Sequence, residues 1–382
     1  MSSLGLYIHI PFCARRCSYC DFVSYPWHEG EEGEWFVQLL LGELSLRIQS
    51  GYLGEREIQS VYFGGGTPSL LHPSCIGDFL SFLRAQGILA PYSEVTLEVN
   101  PEDITFWRLE EWRTAGVTRL SVGVQSLQFR YLVFLGRSTS PQRIKEALET
   151  IRRANWENWN VDLMYGLPLQ DFDVWQEDVR GVLQYAPPHV SIYSLTVEPW
   201  VPLAPFFRRH RRLFPSPDMQ AYLFRLAERI LNHAGYVHYE VSNFALPGFE
   251  CRHNLLYWRN GEYVGLGPSA WTYCKGRRQK NIRSLRAYTK MVRSGKLPVI
   301  FEEELPRNLK DLESIALLLR TNQGLPVALL SSQEWGRCVQ EFLKEGLLYI
   351  REGCLYPSSR GYLLLHQVLS ELFARGQASK GA

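Results

Sequence analysis

The chain has 382 residues, with 41 Lys plus Arg against 39 Asp plus Glu and a formal net charge of +2. This near balance offers no field to hold a polyanion, so a general nucleic-acid binder is excluded. Hydrophobic residues at 46% and aromatic residues at 13% exclude disorder as the dominant state, and no apolar run reaches the roughly 18 residues that span a bilayer.

Length alone expects two domains, or one large domain with an appendage. The start, Met1-Ser2-Ser3-Leu4-Gly5, lacks the basic and apolar regions of a secretory peptide. A cytoplasmic setting with reduced thiols is therefore expected. In chain order, strands are predicted at Leu6 to Ile10, Val61 to Phe63, Val95 to Val99, Leu120 to Val124, Val161 to Met164 and Val190 to Leu195. Between them, helical spacing of apolar residues predicts helices over Trp35 to Ile48, Ile104 to Ala115, Gln142 to Ala154 and Phe172 to Tyr185. Gly116 is read as the stop of the second helix and Asp171 as the N-cap of the fourth. This alternation predicts an α/β fold with parallel strands and crossover helices. Six units are too few for an eight-unit barrel and fit a partial (β/α)6 barrel.

A helix is predicted over Asp218 to Ala234 and a last strand over Val237 to Phe244. The Gly- and aromatic-rich stretch from Gly248 to Gly276 reads as a long functional loop. These signals divide the chain into residues 1–280, a connector at 281–306, and a C-terminal domain at 307–382. In that last part, helices are expected over Leu309 to Leu319, Gln333 to Glu345 and Ser359 to Phe373. A β-pair, Leu347 to Ile350 and Cys354 to Tyr356, completes a small winged-helix-like α+β unit.

Of the 8 Cys, three stand in Cys13-Ala14-Arg15-Arg16-Cys17-Ser18-Tyr19-Cys20, a C-x3-C-x2-C run after the first strand. Three thiolates in one loop can hold three irons of a four-iron cluster and leave the fourth iron open. Arg15 and Arg16 would offset part of the negative charge. Zinc is the alternative reading, but it prefers four ligands, and no second C-x2-C pair is present. The strand Val61-Tyr62-Phe63 runs into Gly64-Gly65-Gly66-Thr67-Pro68, where the bare backbone can approach a ligand closely. It is not a phosphate loop, because the Gly-Lys-Ser/Thr ending is missing. Glu98, Gln125, Arg137 and Asp162 recur at or near strand ends, which converge on one face of a parallel barrel.

The cysteine spacing resembles the radical S-adenosylmethionine (SAM) superfamily. The wider string Leu6-Tyr7-Ile8-His9-Ile10-Pro11-Phe12-Cys13, with Cys20-Asp21-Phe22, resembles the subfamily of oxygen-independent coproporphyrinogen III oxidases and HemW-type haem chaperones. The resemblance implies a [4Fe-4S] cluster on Cys13, Cys17 and Cys20, with SAM on the open iron. It also implies SAM contacts from Tyr7, Gly65, Gly66, Thr67, Glu98, Gln125, Arg137 and Asp162. In that superfamily a reduced cluster cleaves SAM to a 5′-deoxyadenosyl radical and methionine. The oxidases add a fourth nearby cysteine where Phe22 stands here, a pattern closer to the chaperones.

Glu250-Cys251-Arg252-His253-Asn254-Leu255-Leu256-Tyr257-Trp258 contains His-Asn-x-x-Tyr-Trp, which looks like the chaperones' haem-associated motif. It implies haem contacts from His253, Asn254, Tyr257 and Trp258. Read without the family, a lone His beside aromatics is a hydrogen-bonded structural residue. Thr139 and Trp271 stand where many relatives carry His, so a second haem ligand is undefined. Cys251 could touch iron, but an isolated cysteine is more often a small buried hydrophobe. The expected partners are haem and a haem-acceptor protein, membrane-associated acceptors and a homodimer being compatible with the family, and no nucleic acid. The leading expectation is a haem chaperone. Its alternatives are oxidative decarboxylation of coproporphyrinogen III in porphyrin biosynthesis, and radical chemistry on another substrate.

Overall fold

The computed structural model describes residues 4–28, 32–54, 56–330 and 333–378. Residues 1–3, part of the segment behind the targeting expectation, lie outside the described residues. The first strand, β1 (Leu4–Ile10), leads into a short parallel pair, β2 (Phe12–Cys13) and β3 (Tyr25–Pro26), that brackets the cysteine loop. Then come α1 (Glu32–Gln49), β4 (Ile58–Gly65), α2 (Pro73–Ala85), β5 (Leu89–Val99), α3 (Phe106–Ala115) and β6 (Arg119–Gln125). They are followed by α4 (Phe129–Leu135), α5 (Pro141–Arg153), β7 (Trp159–Tyr165), α6 (Phe172–Leu183) and β8 (His189–Ser194). The α3 helix starts on Thr105, whose hydroxyl accepts from the Arg108 amide, and stops at Gly116 in the left-handed region, φ 104. Asp171 caps α6 by accepting from the Val174 amide at 3.0 Å. Both signals match the sequence reading.

Within these strands the residues alternate. Val95, Leu97 and Val99 of β5, Leu120, Val122 and Val124 of β6, and Val161 and Leu163 of β7 are buried in one apolar core with the helices. Their neighbours Glu94, Thr96, Glu98, Arg119, Ser121, Asn160 and Asp162 take the other face, because side chains alternate along a strand. The register sets Glu98 beside Ser121, and Asp162 beside both Gly123 and Ser191. The six predicted strands therefore form the expected parallel (β/α)6 core, with polar side chains inside.

Beyond β8 the chain departs from expectation. After α7 (Ala204–Arg209) and α8 (Pro217–His233), the predicted last strand splits into β9 (Val237–Glu240) and β10 (Asn243–Ala245), which pair antiparallel. The stretch read as a loop holds α9 (Arg252–Trp258), β11 (Glu262–Leu266) and β12 (Trp271–Cys274). Its glycines masked the strand pattern. They are required by close packing: a Cβ on Gly265 would collide with the Trp271 carbonyl. Strand β11 pairs parallel with β1, making a seventh parallel strand. The expected connector is regular structure as well. It carries α10 (Leu285–Arg293) and β14 (Val299–Glu304), and β14 pairs with β13 (Arg277–Asn281). The sheet thus runs past residue 280, in the open order β14-β13-β12-β11-β1-β4-β5-β6-β7-β8-β10-β9.

The C-terminal part has its own apolar core, including Ile315, Leu319, Phe342 and Leu369. It comprises α11 (Arg307–Leu318), β15 (Leu325–Pro326), α12 (Gln333–Lys344), β16 (Leu348–Arg351), β17 (Cys354–Pro357), α13 (Ser359–Leu363) and α14 (Leu365–Ala378). Three short strands in the order β15-β17-β16 beside helices give the winged-helix-like form. No described helix is long and apolar enough to cross a membrane.

The late strands are held to the early helix by a buried charge network. Arg47 on α1, 0% exposed, donates to Glu43 at 2.9 Å, Gln279 at 3.2 Å and Asn281 at 3.0 Å. Glu43 in turn accepts from the Gly267 amide at 2.9 Å and the Tyr288 hydroxyl at 2.6 Å. Breaking one side of such a buried pair leaves the other charge uncompensated, a loss of about 3–5 kcal/mol. Arg47→Met should therefore lower the unfolding free energy of the full chain, read from urea titration, by an amount in that range; an unchanged value would show that the network carries no net stability.

Candidate functional site

The cysteine loop is fixed at both ends and in its middle. The Trp27 amide donates to the Cys13 carbonyl at 2.9 Å. The Ser18 amide donates to Leu135 O and its hydroxyl to Phe134 O, each at 3.0 Å. Gly136, at φ 75, lets the chain after α4 turn against this loop, and a Cβ there would sit 3.3 Å from the Ser18 nitrogen. Cys13, Cys17 and Cys20 are half-buried and line one cavity of ≈ 450 Å³. Gly65, Gly66 and Thr67 form the facing wall. The Gly66 amide donates to Ile10 O at 2.7 Å, and a Cβ on Gly66 would come 2.5 Å from Phe12 O and 3.0 Å from Cys13 Sγ. Only glycine allows this approach.

These residues fit an iron–sulfur cluster. Burial raises the Cys13 thiol above its ordinary pKa and pushes Cys20 to about 11, so the thiolate forms need a cation to offset the burial. Among the described residues, no three His, Cys, Asp or Glu converge as a single-ion site requires. The three thiols are among the groups that line the cavity, a donor type that holds iron–sulfur clusters. Arg137 reaches in with Nη1 3.9 Å from Cys17 Sγ. Its Nη2 is held at 2.8 Å by both Asn100 Oδ1 and Gly123 O. Its Nε is buried without a partner.

Glu98, Gln125 and Asp162 line the same cavity. Glu98 accepts from the Tyr62 hydroxyl at 3.0 Å and the Gly65 amide at 3.1 Å. Burial, then the neighbouring Asp162 charge, push its pKa up to about 7 in spite of these donors. Asp162 accepts from Asn160 at 2.7 Å, and burial raises its pKa too. Two carboxyl groups facing one cavity form a site that gains from a cationic ligand. Gln125 ends β6 with φ 68, a left-handed conformation that a non-glycine residue adopts at a local energetic cost.

Of the SAM contacts carried over by resemblance, Tyr7 is the one that does not line the thiol cavity. It lines a second cavity of ≈ 600 Å³ beside the first, with its hydroxyl 3.2 Å from His9 Nδ1. Phe22, where the oxidases place a cysteine, is 58% exposed and borders both cavities. The His-Asn-x-x-Tyr-Trp residues sit on α9 and diverge. His253 is 1% exposed, with Nδ1 2.8 Å from Ser60 Oγ and Nε2 2.8 Å from the Tyr257 hydroxyl. Burial, then the charge of Arg119, lower its pKa to about 3. As placed, neither ring nitrogen is free to take iron. Tyr257 lines the second cavity, Asn254 is half-buried, and Trp258 hydrogen-bonds Glu240 on β9. Cys251 is fully buried, and burial pushes its thiol to about 12.

Sequence reasoning missed Asn100, Tyr62 and Asn160, which hold Arg137, Glu98 and Asp162 in place. Asn160 lies two residues from Asp162 on the same face of β7, and Asn100 lies two residues from Glu98, just past the end of β5, so period-two counting could have found them. It also missed Glu94 on β5, which accepts from the Arg252 amide at 3.2 Å and the His253 amide at 3.1 Å and so fixes the start of α9. No local signal ties those positions together.

Comparison with known proteins finds relatives over most of the chain. Residues 7–180 match the Radical SAM superfamily. The chain is 36% identical over 371 residues to the heme chaperone HemW of Mycobacterium tuberculosis, covering 96% of this chain and 94% of that protein. It is 39% identical over 267 residues to the heme chaperone HemW of Escherichia coli, covering 70% of this chain and 69% of that one. The solved structure of coproporphyrinogen III oxidase (HemN) from Escherichia coli, a radical SAM enzyme, matches with a TM-score of 0.83 at 22% identity, over 97% of this chain and 90% of that chain. That likeness is one of fold. The chain belongs to the HemW haem-chaperone family of radical SAM proteins.

Proposed function

We propose that this protein binds haem and hands it to an acceptor protein, and that it carries a SAM-bound [4Fe-4S] cluster on Cys13, Cys17 and Cys20. The observation that supports this most is a pair of adjoining cavities. One is lined by three thiols, a glycine run and two carboxyl groups; the other is lined by aromatic rings. In the first, the thiols hold the cluster, and Gly65, Gly66 and Thr67 allow a ligand to lie close to the backbone. Glu98 and Asp162 receive cationic or hydroxyl groups of SAM, while Gln125 and Arg137 complete the wall. When bound, the cluster supplies reducing electrons and an open iron for the amino and carboxylate groups of SAM.

His253, Asn254, Tyr257 and Trp258 are the motif side of the cargo site. In the arrangement described above, Tyr257 faces the cavity and His253 stands behind it. Direct ligation by His253 requires its bonds to Ser60 and Tyr257 to open. None of the eight cysteines is in a disulfide, which fits a reducing cytoplasm. We further propose that the acceptor reaches the protein from that compartment, and that a homodimer is compatible with transfer.

Three outcomes test this reading. Cys17→Ala should abolish the broad visible absorbance of the anaerobically reconstituted cluster, which arises from thiolate- and sulfide-to-iron charge transfer; a full spectrum in the variant would remove Cys17 from the ligand set. Glu98 ionises near pH 7 in the folded chain, and a ligand that prefers the carboxylate binds more tightly as pH rises through that value. SAM affinity should thus increase about tenfold between pH 6 and pH 8 in wild type and stay flat in Glu98→Gln. A rise of equal size in both would assign the dependence elsewhere. Ferric haem titrated into the reconstituted full chain should give a saturable Soret band, reduced in affinity by His253→Ala; a wild type that binds no haem would overturn the chaperone reading.

A further inference from the structure

The second cavity has walls of two kinds. Its hairpin, β12 with β13, is antiparallel, and the register sets Trp271 opposite Lys280 and Tyr273 opposite Arg278. The alternate residues of the same hairpin, Thr272, Gln279 and Asn281, are buried on the other side, where Gln279 and Asn281 hold Arg47. Strand periodicity therefore turns an aromatic–cation row toward the cavity while anchoring its back in the charge network. Trp271, Trp200 and Phe22 all border this cavity and are 41%, 64% and 58% exposed. Large rings gathered around one mouth mark a surface that gains from a ligand. The volume, ≈ 600 Å³, falls in the range of small-molecule sites, about 300–1,000 Å³.

The charges at the rim are not equivalent. Arg278 is taken up by ion pairs with Glu313 and Glu303. Lys280 lies 4.9 Å over the Trp271 ring, and neither it nor Arg283 enters an ion pair among the described residues. Both line the cavity. Asp21 is a lining carboxylate that no ion pair neutralises among the described residues. It weakens, without cancelling, the pull of two cations on an anionic ligand.

We propose that this cavity is the cargo site. It takes a flat tetrapyrrole bearing two carboxylates, with the ring against Trp271, Tyr257 and Tyr263 and the carboxylates on Lys280 and Arg283. The assignment rests on the haem-chaperone reading and adds to it the surface that holds the ring. Phe22 then stands between cargo and thiols, since it borders both cavities.

Ferric haem and its dimethyl ester, in which both carboxylates are blocked, are titrated into the cluster-reconstituted full chain and followed by the Soret band. The Lys280→Glu/Arg283→Glu variant should bind haem about tenfold more weakly. Its affinity for the ester should match that of wild type. Trp271→Ala should weaken both ligands by a similar factor. Unchanged cluster absorbance in each variant checks that the fold is intact. If wild type binds haem and both variants bind it equally well, the cavity assignment is overturned and the chaperone reading stands. If wild type binds no haem, the chaperone reading itself fails and the assignment falls with it.

Discussion

The organising constraint is the polar inner face of the parallel sheet. Apolar residues of β5, β6 and β7 leave toward the helices, so their neighbours must be buried inside the barrel, where an unsatisfied polar group is expensive. They satisfy one another in series. Asp162 accepts from Asn160, whose Oδ1 lies 2.6 Å from His189 Nδ1. The other nitrogen of that ring is 2.8 Å from the Tyr239 hydroxyl, and this hydroxyl accepts from the Cys251 amide at 3.2 Å. The chain thus runs from the floor of the thiol cavity to the residue that begins α9.

This continuity explains how one short helix can serve two places. Glu94 receives the first amides of α9 and Ser60 receives His253, so the helix is locked to β4 and β5. Its far end then brings Tyr257 to the second cavity, where its ring lies 4.5 Å from that of Tyr263. Toward the first cavity, His253 packs 5.2 Å from Tyr62, whose hydroxyl holds Glu98. The two sites share a wall of rings and hydrogen bonds, and a change of either His253 bond would be felt on both sides of it.

The electrostatics follow the same division. The first cavity gathers three thiols and the carboxyl groups of Glu98 and Asp162 beside Arg15, Arg16 and Arg137, so it offers contacts to both cationic and anionic groups. The second places Lys280 and Arg283 at a rim of aromatic rings, so it suits an apolar plane with anionic ends. A net charge of +2 conceals these local arrangements, because charges of both signs are gathered at each cavity.

What the amino-acid sequence determined by itself is local. The spacing of Cys13, Cys17 and Cys20, the glycine run at 64–66 and the alternation in six strands are set within a few residues, and they were enough to read the partial barrel and the thiol site. The caps at Gly116 and Asp171 were legible for the same reason. Tertiary structure alone decided that β11 lies beside β1, that Gln279 and Asn281 meet Arg47, that Tyr7 faces the second cavity and that His253 is enclosed by Ser60 and Tyr257. Those outcomes depend on register between segments some 200 residues apart in several cases. Gly and aromatic residues in 248–276 obscured the period of its two strands, and no local pattern encodes which distant partner a buried Arg or His will find.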